Sequence, residues 1–295
     1  MSRKDVYLET FGCQMNELDS ELVAGALKAL GYRFVAEPDS ADVVLYNTCS
    51  VREHAEQKVW SRLGELAKRK LEQPGLVVGV LGCMAERDGI DLVRRMPVVD
   101  VLCGPGELDK LPALLDNAVR TRQSLLAQDL TEEDDLERAA TTSARQVALQ
   151  GGSSRRSATL AAANDTLEML DLSRAISPID TTNADGSPDP NANMGPRSAY
   201  VRITRGCNKF CTYCVVPFTR GAEIHRPPDH ILDECKKLAD SGVVEITLLG
   251  QTVNHYRFEH GAAVTVDGIV QPQKGRSYTG CHARDPFAGA NVTTF

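Results

Sequence analysis

The stretch VVLYNTCSVREHAEQKVWSRLGELAKRKL, residues 43–71, carries the clearest fold signal in this chain. It opens with a near-continuous apolar run at residues 43–47, which is typical of a strand buried on both faces. The charged residues from Val51 to Leu71 follow, and their spacing predicts a solvated helix that turns Trp60 and Leu63 inward. This stretch therefore indicates one strand followed by one helix.

The same order recurs on both sides of this stretch. A β-rich run at residues 6–13 precedes a helix predicted over Glu17–Leu30, and the apolar run at residues 76–84 leads into a helix towards Arg95. A fourth predicted strand, residues 98–104, is followed by ELDKLPALLDNAV. Strands that alternate with helices predict an α/β fold in which helices cover both faces of a parallel sheet. We expect a doubly wound, Rossmann-like domain over residues 1–123.

The composition changes after this domain. Residues 124–196 are rich in Ala, Ser, Thr, Asp and Asn and hold no aromatic residue, which predicts an acidic, disordered linker with at most a helix near residues 160–174. Order resumes in residues 197–295 with a strand from Ser198, a cysteine-rich loop, a helix near residues 228–241 and a second strand. Beyond residue 257 no periodicity is convincing.

Composition restricts the class of protein. The chain has 295 residues, a net charge of −7 and nine cysteines. It holds no apolar run long enough for a membrane helix, and its first residues do not resemble a signal peptide. We therefore expect a cytoplasmic protein with no membrane partner, in which an odd number of cysteines indicates metal or redox chemistry rather than disulfides.

The sharpest motif is GCNKFCTYC, in which Cys207, Cys211 and Cys214 have CxxxCxxC spacing. We call these three residues the loop cysteines. A structural zinc site needs four ligands and a simple ferredoxin cluster needs four cysteines, whereas three thiolates on a 4Fe-4S cluster leave one iron open. The spacing favours an open, catalytic cluster, and a zinc knuckle completed by His225 or Cys235 is the alternative.

A second set of cysteines is dispersed along the chain. Cys13, Cys49 and Cys83 each follow a predicted strand, and we call them the strand-end cysteines. The carboxyl ends of neighbouring parallel strands meet at one edge of a sheet, so these three residues can converge there. The alternative is that they are three small buried hydrophobic residues.

Four segments resemble radical S-adenosylmethionine (SAM) methylthiotransferases. YVRITRGCNKFCTYCVVPFTRG resembles the cluster-binding loop of that family, and TFGCQMNELDSE, NTCSVREHAEQKVWSRLG and GCMAER resemble its amino-terminal domain. The resemblance covers about residues 5–122 and 198–256. It implies two 4Fe-4S clusters, one on the strand-end cysteines and one on the loop cysteines, with SAM bound at the second. It also implies that residues 197–295 form part of a radical SAM (βα) barrel.

The resemblance assigns two further cofactor-binding residues and no catalytic acid or base. Tyr213 is similar to the aromatic residue that lies against the adenine of SAM, and core packing behind the loop is the alternative. Gln251, beside Gly250 at the end of the second barrel strand, is expected near SAM, and a solvated loop amide is the alternative. Arg220 is expected to be a surface group, as arginines after such a turn usually are, and a contact with a phosphate or a carboxylate is the alternative. No role is assigned to Cys103, Cys235 and Cys281.

The residues that surround the cysteines also indicate a substrate. GCQMNE, NTCSVRE and CVVPFTRG resemble the branch that methylthiolates N6-isopentenyladenosine, also called dimethylallyladenosine, beside the tRNA anticodon. The resemblance implies a monomer that acts on the anticodon loop, where a base can unstack, and an electron donor of the flavodoxin or ferredoxin type. A sibling that modifies threonylcarbamoyl-adenosine or a ribosomal protein aspartate is one alternative. A non-catalytic iron-sulfur electron-transfer module is the other.

The length of the second part is short for the barrel. Residues 198–295 would hold about three βα units at roughly 30 residues each, which is fewer than the family barrel needs. The RNA-binding β-domain expected after the barrel is also missing from this sequence. We therefore expect a chain truncated at its carboxyl end, which would be inactive if the truncation is real.

Overall fold

A computed structural model of the chain describes residues 4–126, 145–149, 170–171, 198–259, 263–266, 269–272, 276–277 and 292–294. The chain divides into two compact units. The first unit comprises residues 1–174 together with Phe218–Arg220, and the second comprises residues 175–217 and 221–295.

The first unit is built on a six-stranded sheet in which every strand pair is parallel. The strands lie in the order β2-β1-β3-β4-β5-β6, which confirms the doubly wound α/β fold. The strands are β1 (Asp5–Phe11), β2 (Arg33–Phe34), β3 (Val43–Thr48), β4 (Val77–Gly82), β5 (Val101–Cys103) and β6 (Gln146–Ala148). The helices are α1 (Gln14–Ala29), α2 (Glu53–Glu72), α3 (Cys83–Arg95) and α4 (Leu111–Leu126).

Burial explains why the central strands read as continuous apolar runs. Every residue of β3 and β4 is buried, because helices cover both faces of the sheet. On one face α2 places Val59, Leu63 and Leu66 at helical spacing against the core, and residues of α3 complete that layer. Trp60 is half-buried at its edge, with the guanidinium of Arg95 4.1 Å from the ring centroid.

Asp100 joins helices to the amino end of the sheet. This carboxylate accepts hydrogen bonds from the Val78 backbone N–H at 2.9 Å, from Arg122 Nη2 at 2.6 Å and from Lys70 Nζ. All three charged side chains are buried. Asp100 directly precedes β5, so this group of charges lies at the amino ends of the strands. The strand-end cysteines lie at the opposite, carboxyl ends.

Two boundaries differ from the sequence prediction. The predicted disordered linker is wrong for residues 146–148, which form β6 and pair with Val101–Cys103, and α4 continues to Leu126 rather than ending by residue 123. A three-residue strand has too few residues to show a period, so only its pairing partner reveals it. Of the predicted helix 160–174, residues 170 and 171 are described and are helical, and the remainder lies outside the described residues.

The second unit contains the predicted βα element. The strands β7 (Ser198–Arg202) and β10 (Glu245–Leu249) are parallel neighbours. Between them in sequence lie β8 (Thr204–Arg205), the short helix α5 (Val216–Thr219), β9 (Ile224–His225) and α6 (Pro228–Asp240), and β8 pairs with β9. Val201 of β7 and Ile231 and Leu238 of α6 share a buried core, as expected for the start of a βα barrel.

From residue 257 onwards, where the sequence shows no convincing periodicity, the structure has five short strands. These strands pair antiparallel, β11 with β14 and β15, and β12 with β13. They are β11 (Arg257–Glu259), β12 (Ala263–Val266), β13 (Ile269–Pro272), β14 (Arg276–Ser277) and β15 (Val292–Thr294). No helix in the described part of the chain is long and apolar enough to cross a bilayer.

Candidate metal centres

The register of the sheet brings the strand-end cysteines to one edge. Phe11 of β1 pairs with Thr48 of β3, and Thr48 pairs with Gly82 of β4, so the three strands end at the same level. Cys49 and Cys83 follow their strands directly, and Cys13 follows one residue later. The strand order reverses between β1 and β3, and ligands of open α/β sheets bind at such a switch point.

Two of these cysteines also lie at helix amino termini. Cys13 is the N-cap of α1, and Cys83 is the first residue of α3. The exposed N–H groups and the dipole at a helix amino terminus stabilise thiolates. Gly82 makes the sharp turn into α3 with a φ of +87°, and a Cβ there would lie 2.5 Å from Asn47 Oδ1 and Thr48 O. Only glycine fits this position without strain.

The thiols interact with one another. A hydrogen bond with Cys49 lowers the pKa of Cys13 to about 5 against the opposing effect of burial. The same hydrogen bond, burial and the nearby Cys83 raise the pKa of Cys49. The interaction between the two thiols therefore favours ionisation of Cys13 and disfavours ionisation of Cys49. All three strand-end cysteines are free of disulfides.

Two buried asparagines hold the loops that carry these thiols. Asn16 Nδ2 donates to Asn47 Oδ1 at 3.0 Å and to Thr48 O at 3.1 Å, and Asn47 Nδ2 donates to Asn16 O at 2.8 Å. Asn16 Oδ1 also accepts from the Cys13 backbone N–H at 3.4 Å. The first turn of α1 is thereby fixed to the end of β3, which carries Cys49.

Arg220 lies in the first unit, and the expectation of a surface group is wrong. Its side chain is 3% exposed, and its Nη2 donates to Asp19 Oδ2 at 2.9 Å. Burial lowers the pKa of Arg220, but Cys83, Asp19 and Cys13 raise it by more, so the guanidinium stays charged. The alternative of a carboxylate contact is confirmed, and its partner could not be named from the sequence because nothing in the local motif indicates which distant carboxylate Arg220 meets.

The loop cysteines lie in the segment between β8 and α5. Cys211 is exposed, and Cys207 and Cys214 are half-buried. The Lys209 backbone N–H donates to Cys207 Sγ at 3.5 Å, and the Cys214 N–H donates to Cys211 O at 2.9 Å. Phe210 has a φ of +46°, which is unusual for a residue with a side chain and is found where function constrains the backbone.

Tyr213 and Gln251 differ in exposure and in hydrogen bonding. The Tyr213 side chain is 93% exposed, so it does not pack in a core behind the loop. The Gln251 side chain is half-buried, and its Oε1 is buried without a hydrogen-bond partner among the described residues, unlike a solvated amide. The next residue, Thr252, has its Oγ1 3.9 Å from Cys207 Sγ, which puts this segment beside the loop cysteines.

The remaining cysteines have structural surroundings where they are described. Cys103 is buried in β5 and its thiol donates to Glu107 O at 3.2 Å, while burial raises its pKa. Cys235 lies in α6 against the core. His225 Nδ1 accepts a hydrogen bond from the Arg257 backbone N–H. Cys281 lies outside the described residues.

The donor set fits a soft metal centre. In the described ranges no group of three or more His, Cys, Asp or Glu side chains already has the spacing of a closed metal site. Each set nevertheless offers three free thiols on one loop or at one sheet edge. Thiolates select iron-sulfur clusters and zinc over magnesium or calcium, so the residues present fit a 4Fe-4S group with three protein ligands.

Two families match separate segments of the chain. Residues 5–104 match the family described as Uncharacterized protein family UPF0004, and residues 201–267 match the Radical SAM superfamily. The first segment ends just after β5, and the second includes both the loop cysteines and Gln251.

Curated relatives share both segments. The chain is 42% identical over 254 residues to a protein of Rhodopirellula baltica. This alignment covers 86% of this chain and 45% of the relative. It is 42% identical over 255 residues to a protein of Dichelobacter nodosus, with the same coverage, and 38% identical over 271 residues to one of Ruegeria pomeroyi, covering 90% and 50%. All three relatives are named tRNA-2-methylthio-N(6)-dimethylallyladenosine synthase. The chain spans about half the length of the curated relatives it matches.

Proposed function

We propose that this chain is a member of the radical SAM methylthiotransferase family and carries the cluster-binding machinery that inserts a methylthio group at C2 of N6-isopentenyladenosine in tRNA. One observation carries the proposal. The register of β1, β3 and β4 brings three cysteines to one sheet edge, and a second set of three lies on one loop of the radical SAM segment. Two open donor sets of this kind suit an enzyme that handles sulfur at one site and SAM at another.

The radical SAM segment implies one 4Fe-4S cluster and SAM. In our proposal the loop cysteines hold this cluster, and its fourth iron is left for the amine and carboxylate of SAM. When bound and reduced, this group supplies the electron that cleaves SAM to a 5′-deoxyadenosyl radical, which removes hydrogen from the target carbon. The exposed ring of Tyr213 stacks on the adenine of SAM, and Gln251 offers its unpartnered Oε1 as an acceptor.

A second cluster on the strand-end cysteines is the finer part of the proposal. The helix amino termini at Cys13 and Cys83 stabilise thiolate ligands, and the Asn16–Asn47 hydrogen bonds hold the loops in place. Three protein ligands leave one iron open there too, where sulfur destined for the substrate can bind. A cluster held there would supply the iron that carries this sulfur while it accepts the methyl group of one SAM, and a second SAM, bound beside the loop cysteines, would supply the radical.

The substrate assignment draws on the names of the relatives. They are named as synthases of the 2-methylthio derivative of N6-dimethylallyladenosine. The base beside the anticodon can unstack, so its C2 is accessible to a radical. We further propose that the chain is a monomer in solution and that a flavodoxin or ferredoxin supplies the electron.

Anaerobic turnover of the reconstituted chain tests this function. With dithionite, SAM and tRNA that contains N6-isopentenyladenosine, we expect 5′-deoxyadenosine and the 2-methylthio nucleoside, both measured by mass spectrometry of the reaction mixture. Alanine at all three loop cysteines should abolish both products. A reduced, loaded chain that forms no 5′-deoxyadenosine would overturn SAM cleavage by these residues alone, as expected for an electron-transfer module or for a barrel that is incomplete. Formation of 5′-deoxyadenosine with modification of threonylcarbamoyl-adenosine or of ribosomal protein, but not of this tRNA, would overturn the substrate assignment.

A further inference from the structure

The buried guanidinium of Arg220 has a nitrogen that the fold does not use. Arg220 Nη2 donates to Asp19 Oδ2 at 2.9 Å, and this ion pair is almost completely buried on both sides. Arg220 Nη1 is also buried, and it has no hydrogen-bond partner among the described residues. An unpaired buried donor is unfavourable by about 1–3 kcal/mol, and more when the group is charged. The native protein therefore needs an acceptor at this position.

The surroundings of Arg220 indicate what that acceptor is. Its electrostatic partners in the first unit are Cys83, Asp19 and Cys13. Two of these three groups are strand-end cysteines, so the guanidinium lies within electrostatic range of the sulfur site as well as of the carboxylate. One carboxylate already satisfies Nη2, which leaves Nη1 for an anionic group at the sulfur site.

We propose that Arg220 is a positioning residue of the strand-end cysteine site, where its Nη1 donates a hydrogen bond to an anionic sulfur of the group bound there. The acceptor is a thiolate or sulfide sulfur, since these are the anions that the three cysteines bring or bind. This inference rests on the proposed second cluster. A purely structural ion pair between Arg220 and Asp19 is the alternative.

The proposal has a consequence that a structural ion pair lacks. Reduction adds negative charge to an iron-sulfur cluster, and a hydrogen-bond donor or cation at its sulfurs favours the reduced state. Arg220 should therefore make the reduction potential of this cluster more positive. Asp19, whose carboxylate pairs with Arg220 Nη2, should partly offset that effect.

Redox titration of one isolated cluster tests the proposal. The background is the chain with Cys207→Ala, Cys211→Ala and Cys214→Ala, in which electron paramagnetic resonance reports only a cluster on the strand-end cysteines. In this background Arg220→Met should shift the reduction potential to a more negative value, and Arg220→Lys should restore part of the shift. Asp19→Asn keeps the cation but breaks the ion pair, and it should leave the potential unchanged or shift it to a more positive value.

The outcomes separate this inference from the proposed function. If the background chain holds no iron, the second cluster itself is wrong. If it holds about four irons and the neutral Arg220 variants keep the parental potential, the ion pair is only structural and this inference is overturned. Arg220→Gln serves as the neutral variant if Arg220→Met does not fold, and fluorescence of Trp60, the single tryptophan, reports folding of the first unit.

Discussion

Asn16 and Asn47 exchange hydrogen bonds at the carboxyl edge of the sheet: Asn16 Nδ2 donates to Asn47 Oδ1 at 3.0 Å, and Asn47 Nδ2 donates to the Asn16 carbonyl at 2.8 Å. Both side chains are completely buried. Asn16 lies three residues after Cys13, and Asn47 lies two residues before Cys49. The exchange therefore sets the spacing between two of the thiols before any cluster binds.

Replacement of Asn47 tests this role. Asn47→Ala removes the side-chain donor to Asn16 O and the acceptor of one Asn16 Nδ2 hydrogen bond, and it removes one of the two partners of the Ser20 hydroxyl, which keeps Thr10 Oγ1. We expect the free energy of unfolding to fall by about 2–3 kcal/mol, since each buried group left unsatisfied costs about 1–3 kcal/mol. Urea unfolding followed by Trp60 fluorescence measures the change. Asn117→Ala, at an exposed position of α4, is the matched control and should have little effect. An Asn47 variant as stable as the control would contradict the role.

Glycine at position 82 is expected to be irreplaceable, in contrast to glycine at position 64. Gly82 has a φ of +87° and no room for a Cβ, whereas Gly64 lies inside α2 with nothing within 4 Å of an added Cβ. Gly82→Ala should destabilise the first unit by more than about 2 kcal/mol, because it combines backbone strain with a clash. Gly64→Ala should stabilise it by about 0.5–1 kcal/mol. The same urea unfolding compares the two, and equal effects would show that the turn into α3 is not constrained as described.

The sequence predicts the strand-end cysteines because their placement needs only the order of strands and helices. Once β1, β3 and β4 are parallel neighbours, Cys13, Cys49 and Cys83 must lie at one edge of the sheet. The loop cysteines are predicted by local spacing alone. In both cases the information lies within a few residues of the strand ends or of the motif.

The polar contacts around the site could not be predicted in this way. Arg220 meets Asp19 across 201 positions of sequence, and Asn16 meets Asn47 across 31. The partner of each buried side chain depends on the direction in which that side chain points in the folded chain. The periodicity of the sequence does not indicate this direction. The strand β6 was missed for a related reason, because three residues carry too little pattern without the neighbouring strand.

The buried carboxylate Asp100 should matter far more than its lysine partner. Asp100→Asn would remove the carboxylate that pairs with both the buried Lys70 and the buried Arg122 cation, and we expect a loss of about 3–5 kcal/mol in the free energy of unfolding. Lys70→Met removes one buried charge while Arg122 and the Val78 N–H still satisfy Asp100. We therefore expect a smaller loss, of about 1–2 kcal/mol, because Asp100 keeps Arg122 as a counter-charge while the Val98 carbonyl loses its buried donor. Equal losses in the free energy of unfolding for the two variants, measured by urea unfolding, would contradict the larger role of Asp100.

Lys70 also predicts a pH dependence of stability. Burial lowers its pKa from 10.5 to about 8, despite the opposing attraction of Asp100. Between these two values the unfolded chain binds a proton that the folded chain does not, so stability rises with pH. The free energy of unfolding of the wild type, minus that of Lys70→Met, should rise from pH 8 to pH 10.5 by up to about 3 kcal/mol. Taking the difference cancels the other titrating groups. A difference that is flat or falls over this range would show that Lys70 is not desolvated as the fold indicates.

Iron and sulfide content after anaerobic reconstitution measures directly whether the two sets of cysteines bind two clusters. We expect about eight irons in the wild type, about four when all three loop cysteines or all three strand-end cysteines are alanine, and none when all six are replaced. Cys235→Ala, which removes a thiol packed against the core of the second unit, is the control and should keep the full content. A wild type with only about four irons, or a triple variant with undiminished iron, would contradict two independent clusters.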